Sequence, residues 1–230
     1  DSTVPSWSEF SFQHIPGKRG WGQDHFFQFK NNSFSSILYN RNARTRDFVP
    51  NELHKVTIDV FDFPSAYNSW SLDNNLMEYA TYGSSPHIFV AVLDPILLEP
   101  WKTHCPGCGN GDSDHSNNDP SMNFGNLNNN APPGFRDRFE KFFIFDQTSA
   151  ASMTNFINMI ENGIPDSNYV MIYTPIKTYY SDWSATSPAT YTLFQNLGFP
   201  QINATNPEAP FAVFFKKGTM AHNQIKLWPQ

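Results

Sequence analysis

Phe142-Phe143-Ile144-Phe145, a stretch from about Ser149 to Asn162, Gly163-Ile164-Pro165 and then Tyr169-Val170-Met171-Ile172-Tyr173: this run decides the fold class. Met153, Phe156, Ile157 and Ile160 recur at i, i+3, i+4 and i+7, which lines one face of a helix with apolar side chains. Thr148 or Ser149 can accept a backbone N–H where that helix begins. Gly163 suits the left-handed position just past its end, Ile164 can fold back on the last turn as in a Schellman motif, and Pro165 blocks continuation. The pattern returns downstream. A helix from about Ser187 to Leu197 has Ser187 as N-cap, Pro188 as its first residue and Leu193, Phe194 and Leu197 facing inward. It ends in Gly198-Phe199-Pro200 and leads to Phe211-Ala212-Val213-Phe214-Phe215. The flanking runs are short, aromatic and β-branched, as buried strands are.

Upstream the chain reads as β. Phe10 to His14 alternates, and His25 to Phe29 and Ser36 to Tyr39 are short strand-like runs separated by a turn signal. Val56, Ile58 and Val60 share one strand face, and Ile88 to Leu93 is a continuous apolar run of a central strand, stopped by Asp94-Pro95. The one basic cluster, Arg41 to Arg46, reads as a solvated hairpin. The expectation is an α/β fold of the α+β kind, with two helices flanking β-sheets in the C-terminal half and a β-rich N-terminal half. Residues 1–85 would form a β-rich region packed on a following α/β domain, 86–230, interrupted by a long insertion at 103–134. That insertion is dominated by Gly, Asn, Pro, Asp and Ser and has no period.

Composition narrows the function. The chain has 230 residues, 39% hydrophobic and 16% charged, with a net charge of −6 and only 15 Lys+Arg. The basic footprint that nucleic acid or an anionic membrane requires is missing, so neither is an expected partner. No apolar stretch approaches the ~20 residues that span a bilayer. The chain opens at Asp1 without a basic leader, so any signal peptide is expected to be already removed or to lie upstream. Few Lys and Arg with many Asn, Ser and Thr suit an extracellular, β-rich module.

The densest polar cluster lies in the insertion, His104-Cys105-Pro106-Gly107-Cys108-Gly109-Asn110-Gly111-Asp112-Ser113-Asp114-His115-Ser116. Asn110, Asp112, Asp114 and Ser116 fall at positions 1, 3, 5 and 7 of a loop, the alternation that wraps oxygen ligands round calcium. His115 stands where such a loop wants glycine, and Ser121 where it wants a carboxylate. Cys105 and Cys108 with His104 and His115 have the ligand types for zinc, though a second cysteine pair is missing. In an oxidising compartment Cys105 and Cys108 instead close a short disulfide.

Catalysis leaves no local mark. Seven histidines are scattered, and no Gly-x-Ser-x-Gly elbow occurs, so the chain is expected to be no enzyme in itself. Six tryptophans (Trp7, Trp21, Trp70, Trp101, Trp183 and Trp228) are spread along the chain. Most such residues are core anchors. Trp21, within Gly20-Trp21-Gly22-Gln23-Asp24-His25, and Trp183, within Tyr179-Tyr180-Ser181-Asp182-Trp183, have the polar company of a sugar platform. A ring there would stack on a pyranose face while amides and carboxylates take its hydroxyls. Trp21, Trp183, Tyr180 and Asp182 are therefore the candidate ligand-binding residues.

Two sets of residues also carry a resemblance. Phe145-Asp146-Gln147-Thr148 through Phe156, Ile164 to Ile172, Leu193 to Gly198 and Phe211 to Gly218 resemble the interleukin-like EMT inducer (PANDER-like) domain, with Ser167 where that family often has Gly. Gly20 to Lys30, Tyr39 to Arg44 and Val92 to Trp101 are similar to the non-catalytic region of gingipain-like proteins, the sortase-like proteins of the type IX secretion system. Together these stretches span about Trp7 to Gly218. The resemblance implies an extracellular or outer-cell-surface accessory module without catalysis of its own, binding glycan or a partner protein of the translocon. It also allows two other expectations. One is part of a sortase-like cysteine peptidase whose Cys–His catalytic domain lies elsewhere in the parent chain. The other is a calcium-stabilised structural domain, calcium being the one cofactor expected. No catalytic residue of that family maps onto this chain.

Overall fold

Strict alternation marks one inner strand of the first sheet. Along β4 (Leu53–Phe61), His54, Val56 and Ile58 are buried while Lys55 and Thr57 are half-exposed, the period of two that turns one strand face to a core. The computed structural model describes residues 25–30, 36–40, 45–49, 53–61, 67–80, 86–103, 124–125, 140–175, 177–206, 208–220 and 223–227. β4 pairs with β1 (His25–Lys30) and β5 (Tyr67–Leu72), and β5 pairs with β6 (Asn75–Ala80), all antiparallel, in the order β1-β4-β5-β6. β2 (Ser36–Asn40) and β3 (Thr45–Val49) form a separate antiparallel pair, linked by the basic cluster.

β5 and β6 were not legible as strands, yet their turn has a sequence signal. Asp73 and Asn74 alone join them at φ 51° and 63°, the mirror-image turn whose twist matches that of the strands. The Asp73 carboxylate holds the turn to β4, accepting Lys55 N–H at 2.8 Å and meeting His54 Nδ1 at 2.8 Å.

The second sheet is five-stranded and antiparallel throughout. Its order is β11 (Gln224–Leu227), β10 (Phe211–Lys216), β9 (Tyr169–Tyr173), β7 (His87–Leu93) and β8 (Phe143–Asp146). β7, β8, β9 and β10 are buried on both faces, which is why they read as unbroken apolar runs, while the edge strand β11 is half-exposed. Phe89, Ala91, Leu93, Ile144, Tyr169, Met171, Tyr173, Ala212 and Phe214 meet Val56, Ile58, Trp70 and Leu72 of the first sheet. The alternate residues, among them Ile88, Val90, Phe143, Val170, Ile172, Phe211 and Val213, pack on helices. The fold is α+β, with sheet, sheet and helices in three layers sharing one chain of cores. Each side chain fully buried this way contributes about 1.5–3 kcal/mol of transfer free energy.

Polar ties cross the inter-sheet layer. Tyr173 OH donates to Asn68 Oδ1 at 2.9 Å, with both residues at 0% exposure. Glu78 accepts from the Tyr79 and Lys141 N–H groups at 2.9 and 3.1 Å, and Trp70 Nε1 donates to Lys141 O at 3.2 Å.

The helical layer departs from expectation in three places. α1 spans Ala150–Asn158, with Ser149 Oγ accepting Ser152 N–H at 3.3 Å as the expected N-cap. It does not run as an α-helix to Asn162, because a π-helical turn, Met159–Gly163, replaces the last turn and Ile164 N–H bonds Met159 O at 3.0 Å. Gly163 is therefore not the left-handed cap. A Cβ there would lie 2.3 Å from Phe124 Cε1, so the residue is needed for close approach of a ring. The Schellman motif lies at the other helix, α3 (Ala189–Asn196). Gly198, at φ 86°, bonds Gln195 O at 3.0 Å, and Phe199 N–H reaches back to Phe194 O at 2.8 Å. Ser187 Oγ meets Thr190 Oγ1 at 3.0 Å and makes no N–H cap bond.

The third departure is an added helix, α2 (Tyr180–Thr186), which makes three α-helices among the described residues where two were expected. It also breaks the apparent repeat. β8 and β9 both run antiparallel to β7, so α1 joins parallel strands. β9 and β10 are antiparallel neighbours joined through α2 and α3.

The insertion leaves the fold at one point and re-enters beside it. Thr103 N–H donates to Glu140 O at 2.8 Å, and Glu140 N–H donates to Thr103 Oγ1 at 2.9 Å. Midway, Phe124 packs its ring on Phe143 with centroids 6.0 Å apart. Upstream of the stem, Asp94 ends β7 as expected, its Oδ1 accepting the Ile96 and Leu97 N–H groups at 2.8 Å each.

Candidate functional site

Register places four connections at one end of the five-stranded sheet. Tyr173 stands opposite Phe89 and Ala212, and His87 opposite Asp146. The segments after β8 and β9 and before β7 and β10 therefore meet there. Binding groups concentrate on such loops because the sheet beneath holds them rigidly.

Gln147 fixes the arrangement. It is fully buried, and its Nε2 donates to His87 O and to Lys177 O, each at 3.1 Å. Its Oε1 accepts Tyr179 N–H at 3.1 Å. One side-chain amide thus ties two backbone groups of the irregular 177–179 stretch to the start of β7. Thr174 completes the bracing: its Oγ1 lies 2.7 Å from Thr178 Oγ1 and accepts Phe211 N–H at 3.1 Å.

This bracing presents a polar group to solvent. Lys177 Nζ pairs with Glu208 Oε2 at 2.5 Å, and Ser181 Oγ donates to Glu208 Oε1 at 2.5 Å. The Lys177 ammonium also stands 4.7 Å above the Tyr179 ring centroid. The hydrogen bond to Glu208 raises the Lys177 pKa above its ordinary value. Hydrogen bonds from Lys177 and then Ser181 lower that of Glu208. Asp182 lies half-buried next to Ser181 in the first turn of α2.

Two expected platform residues are corrected. Trp183 is 0% and Tyr180 2% exposed, so neither ring offers a face to a sugar. The reason is α2: wound as a helix, the segment turns both rings inward. Trp183 stacks on Phe194 at 6.0 Å and 9°, and meets Phe211 and Tyr180 edge-on. Tyr191 OH donates to Tyr180 O at 2.6 Å, and burial pushes the Tyr180 phenol up to about 12. Trp70 and Trp101 are core residues as well. Trp21, the calcium set Asn110, Asp112, Asp114 and Ser116, and the pair Cys105 and Cys108 lie outside the described residues.

Lys177 and Glu208 escaped sequence reading because they belong to stretches without a period, their one signal being a place within a few residues of β9 and β10. Tyr179 and Ser181 lie in the aromatic stretch that the sequence singled out, but as neighbours of the rings expected to bind. Among the described residues no helix is long and apolar enough to cross a membrane. Comparison with protein-family models, curated proteins and solved structures finds no match to this chain.

Proposed function

We propose that the chain is a non-catalytic extracellular binding module whose recognition surface is the Lys177–Tyr179–Ser181–Glu208 group. The observation that carries this reading is the geometry of the group, with Lys177 and Ser181 both bonded to the Glu208 carboxylate and the ammonium standing over the Tyr179 ring, and the directions of the two charge shifts agree with it. A general base or nucleophile works best with a pKa brought toward neutrality. Here the carboxylate is pushed further down and the ammonium further up, so both stay charged and proton transfer is disfavoured. What remains is a set of fixed donors and acceptors beside an aromatic ring, which suits a hydroxyl-rich ligand. Gln147 supplies preorganisation, lowering the ordering cost of binding. Glycan is accordingly the proposed ligand class, on a cell-surface accessory module of the type IX secretion-associated kind that the sequence resembles.

Glycan-array binding of the wild-type chain against Glu208→Gln and Lys177→Met tests this. The expected result is selective binding that falls tenfold or more in both variants at unchanged melting temperature. A flat array with capture of a cell-surface partner protein would move the ligand to the protein class. Turnover of a glycan or peptide by the chain alone would overturn the non-catalytic reading.

A further inference from the structure

We infer that Asn203 is an acceptor for N-linked glycosylation, taking an oligosaccharide from a lipid-linked diphosphate donor. Asn203-Ala204-Thr205 is an N-x-T triplet with a middle residue other than proline. It lies in the connection between α3 and β10, with Ala204 and Thr205 exposed and Asn203 half-exposed. The local geometry joins the two side chains the reaction needs. Thr205 N–H and Thr205 Oγ1 both donate to Asn203 Oδ1, at 3.0 and 2.6 Å. The hydroxyl adds the shorter of the two bonds that orient the carboxamide, and an alanine at that position would keep only the backbone one.

The amide nitrogen can also accept a sugar without loss of the turn. Asn203 Nδ2 donates to Gln201 O at 3.1 Å and to Pro200 O at 3.4 Å. Glycosylation consumes one of its two hydrogens. The contact at 3.4 Å is near the limit for a hydrogen bond and is the expendable one, while the bond to Gln201 O is retained. In the reaction Nδ2 forms a bond to the anomeric carbon, the bond from that carbon to the diphosphate oxygen breaks, and the lipid diphosphate leaves with the bonding pair. The proton released from Nδ2 passes to a base of the transferase. The other such triplet, Asn31-Asn32-Ser33, lies outside the described residues.

This inference is independent of the ligand proposed above, since it concerns a sugar attached to the chain and not one bound by it. The test is secretion of the full chain from a host whose secretory pathway carries an oligosaccharyltransferase, followed by peptide mapping in a mass spectrometer. An oligosaccharide at Asn203 in the wild type and in Thr205→Ser, and none in Thr205→Ala, is the expected result. Ala204→Pro keeps the hydroxyl but leaves the acceptor sequence, and it should also be unmodified, which guards against misfolding of the alanine variant. Folded, secreted wild-type protein with bare Asn203 would overturn the inference. So would a glycan at Asn203 that survives in both Thr205→Ala and Ala204→Pro.

Discussion

Replacing Gln147 by leucine should unfasten the 177–179 stretch while leaving the strands beneath it intact. The wild-type amide makes three hydrogen bonds to backbone, all at 3.1 Å. Leucine fills a similar volume, so the packing term is small. What is lost is the partner of three main-chain groups. The Lys177 carbonyl belongs to a half-exposed residue and can turn to water. Tyr179 N–H and His87 O lie at the sheet end, and each hydrogen bond lost there costs about 0.5–1.5 kcal/mol. The expected loss is therefore about 1–3 kcal/mol, a sizeable share of the 5–15 kcal/mol by which domains are ordinarily stable. Urea unfolding should show a lower midpoint at unchanged slope. Hydrogen exchange at the Tyr179 amide should speed up more than exchange in β9. A loss below about 1 kcal/mol together with wild-type protection of that amide would refute the idea that Gln147 holds the site.

Three further outcomes are expected. Ser167 sits at φ 76°, a left-handed position disfavoured for side-chain-bearing residues, so Ser167→Gly should stabilise the chain by about 0.5–1 kcal/mol in denaturant titration. Nearby Gly218→Ala should destabilise it by about 2–3 kcal/mol, because φ is 81° and the new Cβ would stand 2.8 Å from Asp166 Cγ. Burial raises Tyr169 and Tyr180 from 10.0 to about 12. Folding thus favours their neutral forms; the contribution is complete below pH 10 and is lost as pH climbs toward 12, so absorbance titration should show delayed phenolate formation coupled to alkaline unfolding. The Tyr180 share is about 3 kcal/mol.

The layers were legible because apolar period is a strong signal wherever a strand or helix has one clear inner face. β4, α1 and α3 obey it, β7 reads instead as an unbroken apolar run because both its faces are covered, and Val56, Ile58, Met153, Phe156, Leu193 and Phe194 are buried as their spacing predicts. β5 and β6 failed it because their inner faces carry Asn68 and Glu78 beside Trp70 and Leu72, polar residues whose buried places rest partly on bonds to Tyr173 and Lys141, distant in sequence. The Gly163-Ile164-Pro165 sequence correctly marked a helix end but not its kind, since the last turn is π-helical and Gly163 makes room for the Phe124 ring, a residue distant in sequence. The aromatic stretch at 179–183 misled for a related reason. Its polar neighbours pointed to a loop, and helical winding instead placed Tyr180 and Trp183, three residues apart, on the same buried face.

The paired hydrogen bonds between Thr103 and Glu140 make a closed neck, and a closed neck separates what the loop contains from what the scaffold requires. Once its ends are held together, each doubling of loop length costs only about 0.6 kcal/mol of closure entropy. The connection between Thr103 and Glu140 can therefore change in length on either side of Phe124 and Gly125, which pack against Phe143, Gly163 and Asn155 and belong to the scaffold. A chain built this way can change what it carries on that side, through mutation or through deliberate grafting of another loop, without renegotiating the three layers that support it.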